Sequence, residues 1–447
     1  MAAATSSESK ARRDGRGNLT ALMFAAFVDM MGLLMVVPQL PFVATRLGAG
    51  GFVVGALVSS FSLAQLLSAP LWGRMSDRYG RRPVLLTALT ASVAAYLIFA
   101  WASVPAAGAN ASFYLLLLFL SRIVQGAGGG TVGVIQAYVA DSTAPDERAK
   151  ALGWLSAATN AGVAIGPVLG SLSHHLGSSG PGLFAAGLCV VNIAFAWKYL
   201  RESRDMKEAA ESKADRGQRA RSRDAIVHVI SHSAAPASRL IWIYAIAIGA
   251  FQGVTSMLAL LLSARFGVTE QTIGFFFAYI GALSVFTRAL ILGRMVDKYG
   301  EARLARIGQI LLATGIALLS IIRPLADPAA VAAMLGGILP WRAVALLPYL
   351  PLAVAVAFLP LGTAFTFPCV TSLLSRVISS KERGLYMGVQ QTFGGLARVI
   401  FPILFGYLYD KSSGLPFLVS ASFVLFTLYL GVGMDSYART DAKAAAA

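Results

Sequence analysis

Twelve apolar runs, each long enough to cross a bilayer, limit what this chain can fold into. They fall at about 20–44, 52–72, 84–104, 112–138, 149–172 and 180–200, then at about 239–264, 272–292, 303–323, 344–374, 384–409 and 415–434. About 20 helical residues cross the ~30 Å hydrocarbon core. In hydrocarbon each backbone N–H and C=O must be paired inside the protein, which leaves helices or a closed barrel, and runs of this length select helices. The composition agrees, since 57% of the residues are hydrophobic and 13% charged, against about 25% charged in a soluble domain. The sequence predicts an all-α membrane protein of twelve transmembrane helices in two pseudo-symmetric six-helix bundles. A peripheral anchor and a single-span receptor are excluded.

The charges sort by side. With both termini on one face, 29 of the 37 Lys and Arg lie on that face, while Arg46, Arg265, Arg323, Arg342 and Lys411 lie on the other and Arg122, Arg288 and Arg398 fall inside apolar runs. The positive-inside rule then predicts cytoplasmic termini in a cytoplasmic (inner) membrane. The net charge of +16 is thereby a topology signal, and nucleic acid is not an expected partner. The expected organisation is a tail (1–19), a bundle (20–200), a linker (201–238), a second bundle (239–434) and a tail (435–447). The linker is rich in Arg, Lys, Glu, Ser and Ala and reads as solvated, with a short surface helix. The first run is too long for a signal-peptide core, so no cleaved segment is expected.

Several chemistries are absent from the pattern. Cys189 and Cys369 sit inside apolar runs without a C-x-x-C partner, His174 and His175 stand at a helix end, and His228 and His232 lie in the linker. No disulfide framework, metal site or cofactor is expected. No nucleophile–base pair or phosphate loop points to an enzyme.

The two halves repeat each other. Gly73, Asp77 and Gly80 return as Gly293, Asp297 and Gly300, shifted by 220, and Glu147, Arg148, Gly153 and Pro167 return as Glu382, Arg383, Gly388 and Pro402, shifted by 235. One insertion between Pro324 and Arg342 accounts for the difference. A duplicated six-span unit is the architecture of a transporter whose halves rock about a midplane site.

Four motifs narrow the reading. Residues 73–83 read GRMSDRYGRRP in a tight turn after span 2, where glycines permit the turn and Asp77 is expected to cap a helix N-terminus. This turn resembles the hallmark loop of the major facilitator superfamily, G-x-x-x-D-R-x-G-R-R. In span 5, Gly153, Gly162, Gly166, Pro167 and Gly170 make a small-residue face with a bend. They resemble the antiporter motif of the twelve-helix drug/proton exchangers. Arg122-Ile-Val-Gln125-Gly126 in span 4 is similar to the R-x-x-Q-G element of the same exporters. Asp29, Gly32, Pro38 and Pro41 resemble the run that opens bacterial tetracycline-efflux and multidrug exporters.

The resemblance implies roles. Asp29 and Arg122 are expected to couple protons, because a carboxyl in a cavity can take up and release a proton as its surroundings change. Gly73, Asp77, Arg78, Gly80 and Arg81, with Asp141 and Asp297, are expected at the gate. Arg398, Gln125, Gln136, Asn160, Gln252, Tyr279, Gln390 and Phe393 are expected to meet substrate, with Gln65 and Gln391 near the same cavity. Arg288, close to the inner end of its apolar run, is expected to snorkel to the interface. The chain departs from the tetracycline exporters in span 3, where Ala94-Ala95-Tyr96 replaces an acid, and in spans 8 and 9, which lack acids or His. Three in-span arginines against one acid lean toward anionic or zwitterionic substrates. The expected activity is export of small amphipathic compounds in exchange for protons by alternating access, by a monomer. The rivals are a proton-coupled or facilitative carrier of an organic anion or lipid-like metabolite, and a transporter-like receptor without flux.

Overall fold

The computed structural model describes residues 2–106, 108, 110–143, 147–203, 216–323, 349–379 and 381–434. The proposed insertion between Pro324 and Arg342 and the last tail both fall wholly outside them. Among the described residues there is no strand, and eleven helices are long and apolar enough to cross a membrane. They are α1 (Leu19–Arg46), α2 (Gly51–Tyr79), α3 (Arg81–Ala102), α4 (Ala111–Ser142), α5 (Lys150–Leu176), α6 (Gly180–Tyr199), α7 (Pro236–Phe266), α8 (Ile273–Tyr299), α9 (Glu301–Ile321), α10 (Leu350–Val377) and α11 (Arg383–Lys411). A shorter apolar helix, α12 (Leu415–Leu430), completes the twelve. The linker contains one further helix, Arg216–Ser231. Its Ala225 and Val229 are buried in the core that α7, α10 and α11 share, so this helix is docked rather than wholly solvated.

Local sequence explains where helices bend and stop. Pro38 lacks the N–H that would continue α1, and Val37–Gln39 tighten into a 3₁₀ turn. After the apolar run of α2 nothing breaks the helix until Gly80, whose φ of +96° turns the chain into α3. Gly300, with φ of +74°, does the same between α8 and α9. Both helices therefore outlast their apolar runs.

Contacts divide the chain into two compact units, one of residues 1–48, 60–214 and 270–281, the other of residues 49–59, 215–269 and 282–447. In the first unit α1 packs on α5 and α6, and α3 packs on α4 and α6. In the second, α7 packs on α11 and α12, and α9 on α10 and α12, so the same four pairings occur in each. Small residues set the close approaches, as lipid supplies no hydrophobic drive between helices. The large apolar side chains left exposed, such as Leu67, Leu116, Val191 and Trp197, are a surface suited to hydrocarbon.

Polar ends are tied within each unit. In the first, Glu270 accepts from Arg46 (2.7 Å) and pairs with His174 (2.7 Å), while its backbone carbonyl accepts from Gln39 (3.0 Å) and Ser171 (2.9 Å). In the second, Asp410 accepts from the N–H groups of Gly51 (2.6 Å) and Phe52 (2.8 Å), the free donors at the start of α2. Arg265 donates to the carbonyls of Leu319, Ser320 and Ile322, closing the C-terminus of α9.

Candidate functional site

The α2–α3 turn converges on Arg81. Its guanidinium, largely buried, donates to Ser76 Oγ (2.6 Å), Asp77 Oδ1 (2.9 Å) and Asp141 Oδ2 (3.1 Å). The expected gate residues Asp77, Arg81 and Asp141 are thus brought together across α2, α3 and α4. Asp77 is not the cap of α3. It lies in the last turn of α2, and the N-terminus of α3 is capped by Glu202, whose two carboxylate oxygens accept from the N–H groups of Arg81 (2.8 Å) and Arg82 (3.1 Å). The reason is geometric, since Asp77 precedes α3 by four residues on a helix that is still intact. Gly80 leaves the room Glu202 needs, because a Cβ there would overlap its carboxylate. Arg78 stacks near Tyr79, with 5.3 Å to the ring centre.

The repeat returns this cluster with its charges reversed. Shifts of 220 and 235 carry Arg81 onto Glu301 and Asp141 onto Arg376. Glu301 Oε1 accepts from Arg376 (2.9 Å) and from Ser372 Oγ (2.8 Å), so the start of α9 and the end of α10 are joined as α3 and α4 are. Asp297, the counterpart of Asp77, is exposed at the end of α8.

Asp29 lies on α1 and lines a small cavity of about 40 Å³ inside the first unit. Ser92 of α3 and Gly128, Gly129 and Thr131 of α4 line the same space, together with apolar residues such as Leu22 and Leu200. Arg122 is 2% exposed, hydrogen-bonds to Gln125 and stands over the Phe61 ring, 4.5 Å from its centre. Arg122 Nε and Gln125 Nε2 are buried without a hydrogen-bond partner. Among the described residues no ion pair joins Arg122 to Asp29; amide and ring hold the guanidinium instead. Tyr96, at the position where the tetracycline exporters' acid is missing, is buried against α1, with its hydroxyl 3.1 Å from where a Cβ of Gly32 would stand.

Three glycines of α5 sit directly on α1. A Cβ on Gly162, Gly166 or Gly170 would collide with the carbonyl oxygens of Phe27, Met31 and Met35 respectively. The four-residue spacing on both helices keeps the two backbones in register on either side of Asp29. Gly153 meets no neighbour within 4 Å. Pro167, inside α5, presents its carbonyl to Gly274, where a Cβ would overlap it.

In the second unit the expected ligand residues separate. Gln390 is fully buried and accepts from Thr371 at 3.5 Å, and Phe393 is buried edge-to-face against Trp242, 5.1 Å between centres. Gln391 is exposed and donates to the Tyr244 hydroxyl at 3.5 Å. Arg398 is half-buried near the middle of α11, and Gln252 is half-buried on α7. In the first unit Asn160 is spent on its own helix, donating to Ser156 O at 2.7 Å, while Gln136 and Tyr279 are exposed. Gln65 donates to Gly129 O at 2.9 Å, tying α2 to α4.

Arg288 is exposed, within a π-helical turn of α8. The helix continues to Tyr299, eleven residues on. Glu202, Tyr244, Phe61 and the Arg288 turn were not singled out from sequence as site residues; only the in-span charge of Arg288 drew notice.

Comparison with known proteins fits this architecture. The chain is 27% identical over 390 residues to the tetracycline resistance protein, class B, of Escherichia coli, covering 86% of each chain. It is 26% identical over 418 residues to multidrug resistance protein 2 of Bacillus subtilis strain 168, covering 92% of this chain and 93% of that protein. The crystal structure of the human organic anion transporter MFSD10 (TETRAN) superposes with a TM-score of 0.58 at 22% identity, over 93% of this chain and 99% of that one, a likeness of fold. Residues 22–339 match the family model of the Major Facilitator Superfamily. With the duplicated helix pairings and the hallmark turn, that match makes this chain an integral, multi-pass membrane transporter belonging to the Major Facilitator Superfamily.

Proposed function

We propose that the protein exports small amphipathic compounds across a cytoplasmic membrane in exchange for protons, by alternating access, with both termini in the cytoplasm. The observation that carries this reading is Asp29, a carboxyl inside a bundle beside Ser92 and Thr131, in a cavity, without an ion pair among the described residues. Such a group can exchange a proton with water admitted from one side and then the other. The names of the similar proteins, which confer tetracycline or multidrug resistance, favour efflux of drug-like compounds.

In this cycle substrate and proton compete in time. Deprotonated Asp29 accompanies loading from the cytoplasm, and its protonation accompanies return. The Arg81 cluster closes the cytoplasmic turn in one state, and the α1–α5 glycine contact couples movement of Asp29 to the rest of its bundle.

Asp29→Asn keeps volume but removes the titratable site. In proteoliposomes with an acid-inside gradient, uphill uptake of a fluorescent amphiphile into the lumen, by the fraction of protein with its cytoplasmic face outward, is expected to vanish in Asp29→Asn while binding persists. Undiminished uphill uptake would exclude Asp29 as the proton carrier. The three in-span arginines favour a second reading, carriage of an organic anion, and a proton-independent exchange of anions by Asp29→Asn would support it.

A further inference from the structure

We propose that a groove between the terminus-side ends of α7 and α12 binds one anionic phospholipid, with the head group at Arg239 and an acyl chain laid along Trp242, Ile246 and Phe426.

The first observation is the groove itself. It has a volume of about 660 Å³ and lies wholly within the second unit. Arg239, Trp242 and Ile246 line it from α7, and Phe426, Tyr429 and Leu430 line it from α12. Steps of three and four residues keep each set on one helix face, so two faces make the opposing walls. Tyr429 is 71% exposed and Val432, just past the end of α12, is 63% exposed, which leaves the rim open to whatever surrounds the bundle.

The second is the order of chemistry with depth. Ser233 and Ala234 line the outer end, where the linker helix gives way to α7. Arg239, Trp242 and Ile246 follow at about 5, 9 and 15 Å from the start of α7. A cation at the mouth, an indole below it and an aliphatic side chain deepest match the passage from head group through interface to hydrocarbon. The rings are fixed in place. Trp242 stands edge-to-face against Phe393 at 5.1 Å, and Phe426 stacks with Tyr429 at 6.0 Å.

The third is charge. Arg239 is half-buried, and its Nη1 donates to Val432 O at 3.2 Å, which ties it to the end of α12 and leaves further N–H donors. Among the described residues no carboxylate pairs with Arg239, and none lines the groove. A phosphodiester carries one negative charge and oxygens that a guanidinium fork grips bidentately. Basic pockets between spanning helices, on the side where Lys and Arg gather, hold anionic head groups in this way. The bilayer surrounds these helices at every moment, so phospholipid is the amphiphile in greatest supply at the groove, ahead of any transported compound.

The probes are palmitoyl-oleoyl phosphatidylglycerol and the phosphatidylcholine with the same chains, offered at equal concentration to the full-length protein in detergent. Native mass spectrometry counts the phospholipid retained. Wild type is expected to retain the phosphatidylglycerol about fivefold over the phosphatidylcholine, as one basic group beside an anionic surface supplies. Arg239→Gln should erase most of that preference, and Arg239→Lys should keep part of it, because lysine keeps the charge and loses the fork. Arg303→Gln removes an exposed cation near the start of α9 and should leave the preference as it is. Equal loss in Arg239→Gln and Arg303→Gln would assign the preference to diffuse basic charge and overturn the proposal. A preference surviving in Arg239→Gln would overturn it too, and retention of neither lipid by wild type would give the groove to another occupant. If Arg239→Gln is poorly folded because the end of α12 loses its donor, Val432→Glu sets an anion at the same mouth. It must then lower phosphatidylglycerol retention severalfold; otherwise the site is rejected.

Discussion

At the residue scale, the turn between α2 and α3 shows how a helix that begins with two arginines is made tolerable. The N-terminus of α3 carries the positive end of the helix dipole, and Arg81 and Arg82 add to it. Glu202 opposes both, taking two of the free N–H groups. Asp77 instead holds the side chain of Arg81, shares that task with Asp141, and is more than half exposed. Exposed pairs contribute about 0–1 kcal/mol, whereas a charged cap contributes about 0.5–2 kcal/mol. Glu202→Gln is therefore expected to lower the melting temperature in detergent more than Asp77→Asn does. Equal losses would put the weight back on the Arg81 pairs. An acid beside a glycine turn is visible in sequence, and for that reason the pattern points to Asp77 as the cap. The acid that does the capping comes from beyond α6, a distance over which no local pattern operates.

At the element scale, the α5 glycines separate close packing from mere smallness. A methyl on Gly166 would lie 2.5 Å from a backbone carbonyl of α1, which cannot swing aside, while a methyl on Gly153 meets nothing within 4 Å. Alanine gains about 1 kcal/mol of helix propensity over glycine, and overpacking costs about 1–3 kcal/mol. At position 166 the backbone clash opposes that gain, so Gly166→Ala should destabilise the protein by up to about 2 kcal/mol. Gly153→Ala should leave stability unchanged or raise it slightly. Thermal unfolding of the two variants in parallel tests this, and matching behaviour would refute the packing account. The helices were legible because apolar runs of spanning length admit few folds, and the glycine spacing was legible because a four-residue period keeps one face. The π-helical turn at Arg288 was not, since Thr-Arg-Ala-Leu-Ile carries no glycine or proline to mark it.

At the scale of the whole molecule, duplication preserved the helix pairings and the positions of the inter-helix ion pairs but not their sign. The start of α3 bears Arg81, which needs Asp141 for its side chain and Glu202 for its helix end. The start of α9 bears Glu301, an acid in the first turn whose charge suits the positive helix end and which binds Arg376 across to α10. One acid in the second unit thus faces both the helix end and the partner cation, where the first unit uses Glu202 for the one and Asp77 with Asp141 for the other. This argument has a measurable consequence. Glu301→Arg alone places a cation beside Arg376 at a positive helix end, and Arg376→Asp alone places an acid beside Glu301; each should reduce the monodisperse, folded fraction. The double variant restores an ion pair of the first unit's sign, and a double-mutant cycle should show a favourable coupling of about 0.5–3 kcal/mol. It should still fall short of wild type by about 0.3–1 kcal/mol, because the new arginine stands at a helix N-terminus without a counterpart to Glu202 among the described residues. Full recovery would mean that the dipole is negligible there. Absence of coupling would mean that the 2.9 Å pair joins α9 to α10 only in passing, and that the reversal of charge between the repeats is neutral drift.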